Sequence, residues 1–105
     1  MIVAIVRFKL PAGTDAKQAA ALYAQSAPRF RGMPGLVRKY YLFDAATGTG
    51  GGCYLWESRE AAEACYSAEF RAGIKARYGA EPEISYLEAP VIVDNESGKI
   101  TTAAA

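Results

Sequence analysis

The sequence contains no histidine. That removes the commonest metal ligand and the side chain most often used as a general base near neutral pH. Histidine triads, histidine zinc sites and histidine-ligated haem are excluded with it. Cysteine occurs twice, at Cys53 and Cys65. Two thiols make neither a four-ligand zinc site within one chain nor the disulfide framework of a small secreted protein. A charge excess is also lacking, with 12 basic against 11 acidic residues, net +1. Nucleic-acid binders usually carry a basic face, so no nucleic-acid partner is expected. No apolar run nears the ~20 residues that cross a bilayer, and Met1–Phe8 lacks the basic start and cleavage site of a signal peptide. The expectation is a soluble, reduced, cytoplasmic protein with no membrane partner and no metal.

What remains is ordinary globular material: 105 residues, 51% apolar and 22% charged. This length gives one domain with one real core and little reserve of stability. Ile2–Lys9 is β-branched and short, and reads as a strand. Pro11 and Gly13 break it, and Thr14 or Asp15 caps a helix that runs to Phe30, with Gln18 completing a capping box to Asp15. Ala19, Leu22, Tyr23, Ser26 and Phe30 share one stripe of that helix, and Pro28 marks or kinks its last turn. Pro34–Phe43 holds a second strand starting after Gly35, and Gly51–Glu57 a third. The Asp44–Gly50 stretch between them has hairpin length, so they pair antiparallel. Ser58 caps a helical stretch ending near Tyr78 at Gly79, with Ser67 as a restart point. Glu83–Val93 is strand-like, interrupted at Pro90. The domain is expected over 1–95, with 96–105 a tail that is loose or reaches a partner.

The order strand, helix, strand, strand, helix, strand is the split βαβ, ferredoxin-like arrangement, an α+β fold with a four-stranded antiparallel sheet. Alternation in the first strand places Ile2, Ala4, Val6 and Phe8 on one face and Val3, Ile5 and Arg7 on the other. Helices cover one face; Val3 and Ile5 leave the other sticky in a monomer. A homodimer through the sheet faces is the expected remedy.

The chemical groups concentrate on the central hairpin. Period two aligns Lys39 with Tyr41, Arg38 with Tyr40, and Tyr54 with Trp56. Large rings with polar tips suit a pocket wall, but Trp56 also reads as a core residue whose N–H meets a carbonyl. Lys39 and Arg38 read first as solvated strand charges, with a pocket role as the alternative. Tyr40 and Tyr41 are expected to split, one inward and one at a pocket or interface. Tyr66, Phe70 and Ile74 have core spacing, with pocket lining as the alternative. Both cysteines read as small buried hydrophobes. The glycines Gly48, Gly50, Gly51 and Gly52 are followed by no Gly-Lys-Ser/Thr and no helix, so they read as a hairpin turn rather than a phosphate loop.

The segments PGLVRKYYLF, GGCYLWESREAAEACY, RYGAEPEISY and APVIVDN, taken in order, resemble the YdhR-like branch of the dimeric α+β barrel superfamily. The superfamily includes the antibiotic-biosynthesis monooxygenases, and the likeness runs from Ile2 to Asn95. It implies a ferredoxin-like protomer, a sheet-to-sheet homodimer and a monooxygenase activity without metal or flavin, hence no cofactor. Its better understood members oxidise electron-rich aromatic or quinol-like compounds after deprotonation, in a closed pocket between helices and sheet. Their strand tryptophan matches Trp56. Haem-degrading relatives use an asparagine and a histidine at positions that fall on Val6 and Ile74, so that chemistry is not expected here. On this reading Trp56, Tyr54 and Lys39 are the catalytic candidates, with Lys39 the first candidate for the base and a buried carboxylate or bulk water as the alternatives. Tyr41, Val6, Tyr23, Tyr66, Phe70 and Ile74 are the candidates for binding a small apolar substrate. Two other functions fit the same scaffold: a non-catalytic small-molecule binding protein, and a non-redox isomerase or dehydratase.

Overall fold

The computed structural model describes residues 1–102. β1 spans Ile2–Lys9, α1 Ala16–Phe30, β2 Leu36–Asp44, β3 Thr49–Trp56, α2 Arg59–Cys65, α3 Ala68–Tyr78 and β4 Glu83–Glu88. These strands form one antiparallel sheet in the order β2-β3-β1-β4, with all three helices toward one face. The ferredoxin-like α+β reading holds.

Local chemistry explains the helix boundaries. Asp15 accepts from the Gln18 N–H at 2.8 Å while Gln18 accepts from the Asp15 N–H at 3.0 Å, the reciprocal capping box. Pro28 sits in the last turn of α1, which ends two residues later. Ser58 and Ser67 each cap a separate helix, accepting from Ala61 and Phe70 N–H groups. Between them the backbone departs from helix at Tyr66. Gly79 ends α3 in the left-handed conformation, φ 86°, donating to the Lys75 carbonyl at 2.8 Å.

The core lies between helices and sheet. Ala4, Val6 and Phe8 alternate inward from β1, and Tyr54 and Trp56 from β3, against Ala19, Tyr23, Ala62, Tyr66, Ile74 and Tyr78. The opposite face of the sheet carries apolar side chains in its central rows and is uncovered by helices. Pairing brings Leu55, Val3 and Leu87 into one row across it, and Tyr40, Cys53 and Ile5 into the next.

Two expectations need correction. Gly50, Gly51 and Gly52 are not in the hairpin turn; β3 already begins at Thr49 and the turn is shorter. The close approach of other groups explains them. A Cβ on Gly50 would collide with the Tyr23 hydroxyl, and one on Gly52 would come 2.8 Å from the Tyr54 ring and 3.2 Å from the Lys39 stem. The 96–105 tail is not loose as far as Thr102. β5, Val91–Asp94, and β6, Lys99–Thr102, form a two-stranded antiparallel hairpin. Asp94 closes its turn by accepting from the Glu96 N–H at 3.0 Å and from the Ser97 hydroxyl at 3.0 Å. Residues 103–105 of the tail lie outside the described residues.

Candidate functional site

A cavity of about 400 Å³ lies between α1, α3 and the sheet. Such a volume suits a small organic ligand. Each wall has a local origin. β1 contributes Phe8, β2 Lys39 and Tyr41, and β3 Tyr54; α1 adds Ser26, Arg29 and Phe30, and α3 Glu69, Phe70, Ile74, Arg77 and Tyr78. A bulge near Val37 shifts the β2–β3 register, so that Lys39 pairs with Tyr54 and Tyr41 with Gly52. Lys39 thus points to the covered face over a strand that has no side chain at Gly52.

Lys39 is the unusual group. Its Nζ lies 3.5 Å from the centre of the Phe30 ring, 3.8 Å from Tyr41 and 4.5 Å from Tyr54. Neither ion pair of the described residues includes it. Loss of water around the ammonium lowers its pKa to about 7; Cys65 acts to raise it and the Arg29 guanidinium lowers it further. The ring faces favour the charged form and so act against burial.

The phenols behave oppositely. Burial raises Tyr54, Tyr66, Tyr41 and Tyr23 above the usual tyrosine value. They remain protonated at neutral pH and can donate hydrogen bonds. The Tyr41 and Ser26 hydroxyls are 2.7 Å apart. Arg77 reaches across from α3 to α1, donating to the Leu22 carbonyl at 3.3 Å and to Gln25 Oε1 at 2.9 Å. Three basic side chains, Lys39, Arg29 and Arg77, line the cavity against one carboxylate, Glu69. The arrangement can hold a flat apolar molecule, accept a proton at Lys39 and favour an anion.

Of the predicted residues, Lys39, Tyr54, Tyr41, Phe70 and Ile74 meet at the cavity. Trp56, Tyr66, Tyr23 and Val6 do not line it. Trp56 has no exposed surface, and its indole N–H donates to the Tyr66 hydroxyl at 3.0 Å. The core alternative for Trp56 therefore describes its place, with a phenol rather than a carbonyl as acceptor. It is stacked on Tyr54 at 6.0 Å and 7°. Val6 is 1% exposed within the core. Tyr23 contacts the sheet instead: its hydroxyl accepts from the Gly51 N–H at 3.2 Å and donates to the Leu42 carbonyl at 2.9 Å. Arg38 is exposed and bonds Tyr40 on the open face, at 3.1 Å. Sequence reasoning missed Phe30, Tyr78 and Phe8 as walls, and Arg29 and Arg77 as nearby charges. The core stripe of α1 ending at Phe30 was the available signal for one of them.

A ferredoxin-like sheet roofed by two helices over an aromatic cavity defines a protein of the antibiotic-biosynthesis monooxygenase fold. Three crystal structures share it. A "putative antibiotic biosynthesis monooxygenase" from Deinococcus radiodurans superposes with TM-score 0.65 at 17% identity, over 90% of this chain and 97% of that one. SnoaB, a cofactor-independent oxygenase from Streptomyces nogalater, gives 0.59 at 19%, over 84% and 91%. The monooxygenase from the gene ActVA-Orf6 of Streptomyces coelicolor, in complex with Nanaomycin D, gives 0.64 at 18%, over 84% and 86%. At these identities the likeness is one of fold. No curated protein matches the sequence. Residues 3–86 match the family described as "Putative mono-oxygenase ydhR", and the chain belongs to that family.

Proposed function

We propose that this protein is a cofactor-independent monooxygenase acting on a small apolar aromatic or quinol-like compound. The observation that carries the reading is Lys39: an amine held at about pH 7 inside a cavity walled by aromatic rings. Family membership supports the reaction class. A general base works best when its pKa lies near the working pH. Neutral Lys39 takes the proton of a phenolic substrate, and the new phenolate lies among Arg29, Arg77 and the Tyr54 hydroxyl. The electron-rich anion then reduces dioxygen. One oxygen atom enters the carbon framework, the other leaves as water, and the substrate itself supplies every electron. Trp56 acts as a positioning residue, holding the Tyr54 ring by stacking and Tyr66 by its N–H.

The working unit in this proposal is a homodimer in the cytoplasm. Leu55, Val3, Ile5 and Leu87 form an apolar surface on the open face, and Leu87 is 58% exposed in the single chain. Two copies would cover that surface by facing each other.

The test is oxygen uptake with a panel of dihydroxyaromatics, without added metal or flavin, followed by product mass. We expect a product that gains oxygen, and a loss of about 100-fold or more in Lys39→Gln. Circular dichroism checks that the variant folds. Saturable binding without oxygen uptake would identify a binding protein instead; a product without added oxygen would identify the non-redox reaction.

A further inference from the structure

An amine in an apolar cavity can form bonds as well as move protons. Lys39 has the surroundings that such chemistry requires. Its nitrogen is faced by Phe30, Tyr41 and Tyr54 rings, and the residue lines a space large enough for a small molecule. Among the described residues no carboxylate ties it down in an ion pair. We propose that Lys39 is a carbonyl-reactive amine, which condenses with the aldehyde or ketone group of a small aromatic molecule in the cavity to form an imine. The proposal uses the same cavity as the oxygenation reading but does not depend on it.

The chemistry balances without an oxidant or reductant. The nitrogen lone pair of neutral Lys39 attacks the carbonyl carbon; a C–N bond forms and the carbonyl π pair moves to oxygen. A proton passes from nitrogen to that oxygen, giving the carbinolamine. Loss of water then breaks the C–O bond and leaves C=N. Water adds back to release the carbonyl compound. The hydroxyls of Ser26 on α1 and Tyr41 on β2, which both line the cavity and lie 2.7 Å apart, are suited to relay the proton.

The charged and titratable groups around the nitrogen are few and come from each surrounding element. Arg29 lies on α1, Tyr41 on β2, Tyr54 on β3, Cys65 on α2, and Glu69, Arg77 and Tyr78 on α3. Burial keeps a large fraction of Lys39 neutral at pH 7, where an ordinary lysine is about 0.1% neutral or less. Lys9, Lys17, Lys75 and Lys99 are all exposed and offer an internal comparison.

The experiment treats the intact protein with benzaldehyde and sodium cyanoborohydride at pH 7, under nitrogen. The reductant converts an imine into a stable benzyl amine, and peptide mass mapping locates it. We expect Lys39 to be modified at least about 10-fold faster than any other lysine, and the preference to narrow as pH rises toward 10. Lys39→Arg should lose the fast label. Phe30→Leu, which keeps the lysine but opens the ring cage, should slow it. Modification spread over the exposed lysines and the N-terminus, with Lys39 no faster than they are, would overturn the proposal. Because no oxygen is present, fast labelling can coexist with failed oxygenation; oxygenation with an unlabelled Lys39 would reject the imine and leave the base role standing.

Discussion

The covered face of the sheet has two halves that differ in kind. Beneath α2 it is solid: Trp56 and Ala62 have no exposed surface, and Tyr66 is 6% exposed. Ala61 lies so close over Gly35 that a Cβ there would meet it at 2.5 Å. Between α1 and α3 the same face is hollow, although rings surround it. The difference follows from what each helix brings down. α2 presents Ala61 and Ala62, and its backbone approaches β1 and β3. α3 presents Phe70, Ile74 and Tyr78, whose bulk holds it off the sheet, while α1 presents Tyr23 and Phe30 and approaches the sheet chiefly at β2. Small side chains close a layer; large ones, edge to face, prop it open.

Emptying the solid half should have the largest effect. Trp56→Ala removes a side chain with no exposed surface and its bond to Tyr66, and should cost about 3–5 kcal/mol in urea unfolding. A loss below about 1 kcal/mol would show that this half is as loose as the other. The hollow half should answer with the opposite sign. Burial holds Lys39 at about 7, against an ordinary value of 10.5. Between those pH values the unfolded chain binds a proton that the folded chain releases, so stability rises with pH through that window. Below about pH 7 both states hold the proton, and the folded state carries the whole cost of a poorly hydrated ammonium. Lys39→Met should therefore stabilise the protein by roughly 1–3 kcal/mol at pH 6, the rings' attraction for the cation offsetting part of the gain. The gain should fade toward pH 10. Parallel stability curves for the two proteins from pH 6 to 10 would contradict this. The smallest effect is expected at the cavity rim. Gly73 lies in α3 and a Cβ there meets nothing within 4 Å. Gly73→Ala should add about 0.5–1 kcal/mol of helix stability, read as a rise in the urea midpoint.

Legibility in the sequence divides along similar lines. Features written in neighbouring residues could be read directly. The Asp15–Gln18 box, the restart at Ser67 and the stop at Gly79 follow from caps, and the order of elements fixes the ferredoxin-like layout. Alternation also placed Tyr54 and Trp56 on one face of β3. It could not say that α2 would seal over Trp56 while the space beside Tyr54 stayed open, because that depends on how far each helix stands from the sheet. The cavity draws on five elements, so no local pattern announces it. Lys39 and Arg38 are neighbours with the same charge, yet one lies among rings and the other in water; a single step along a strand separates them. The terminal hairpin was readable. Val91, Ile92 and Val93 lead into Asp94, Asn95, Glu96, Ser97 and Gly98, and Ile100 follows, an apolar run turning at an Asx residue and a glycine. Its small polar composition masked that pattern. The glycines of β3 misled for a different reason: Gly50 makes room for the Tyr23 hydroxyl, Gly51 for the backbone of β1 and Gly52 for the Tyr54 ring and the Lys39 stem, and all of these but Tyr54 are distant in sequence.

Tyr23 gives one of those glycines a further meaning. Its hydroxyl satisfies the Gly51 amide and the Leu42 carbonyl, two main-chain groups on adjoining strands. Peeling α1 away would take that partner from both groups, a penalty that falls on β2 and β3 rather than on the departing helix. A single phenol thus rivets helix to hairpin, and the three segments share one fate when the molecule opens.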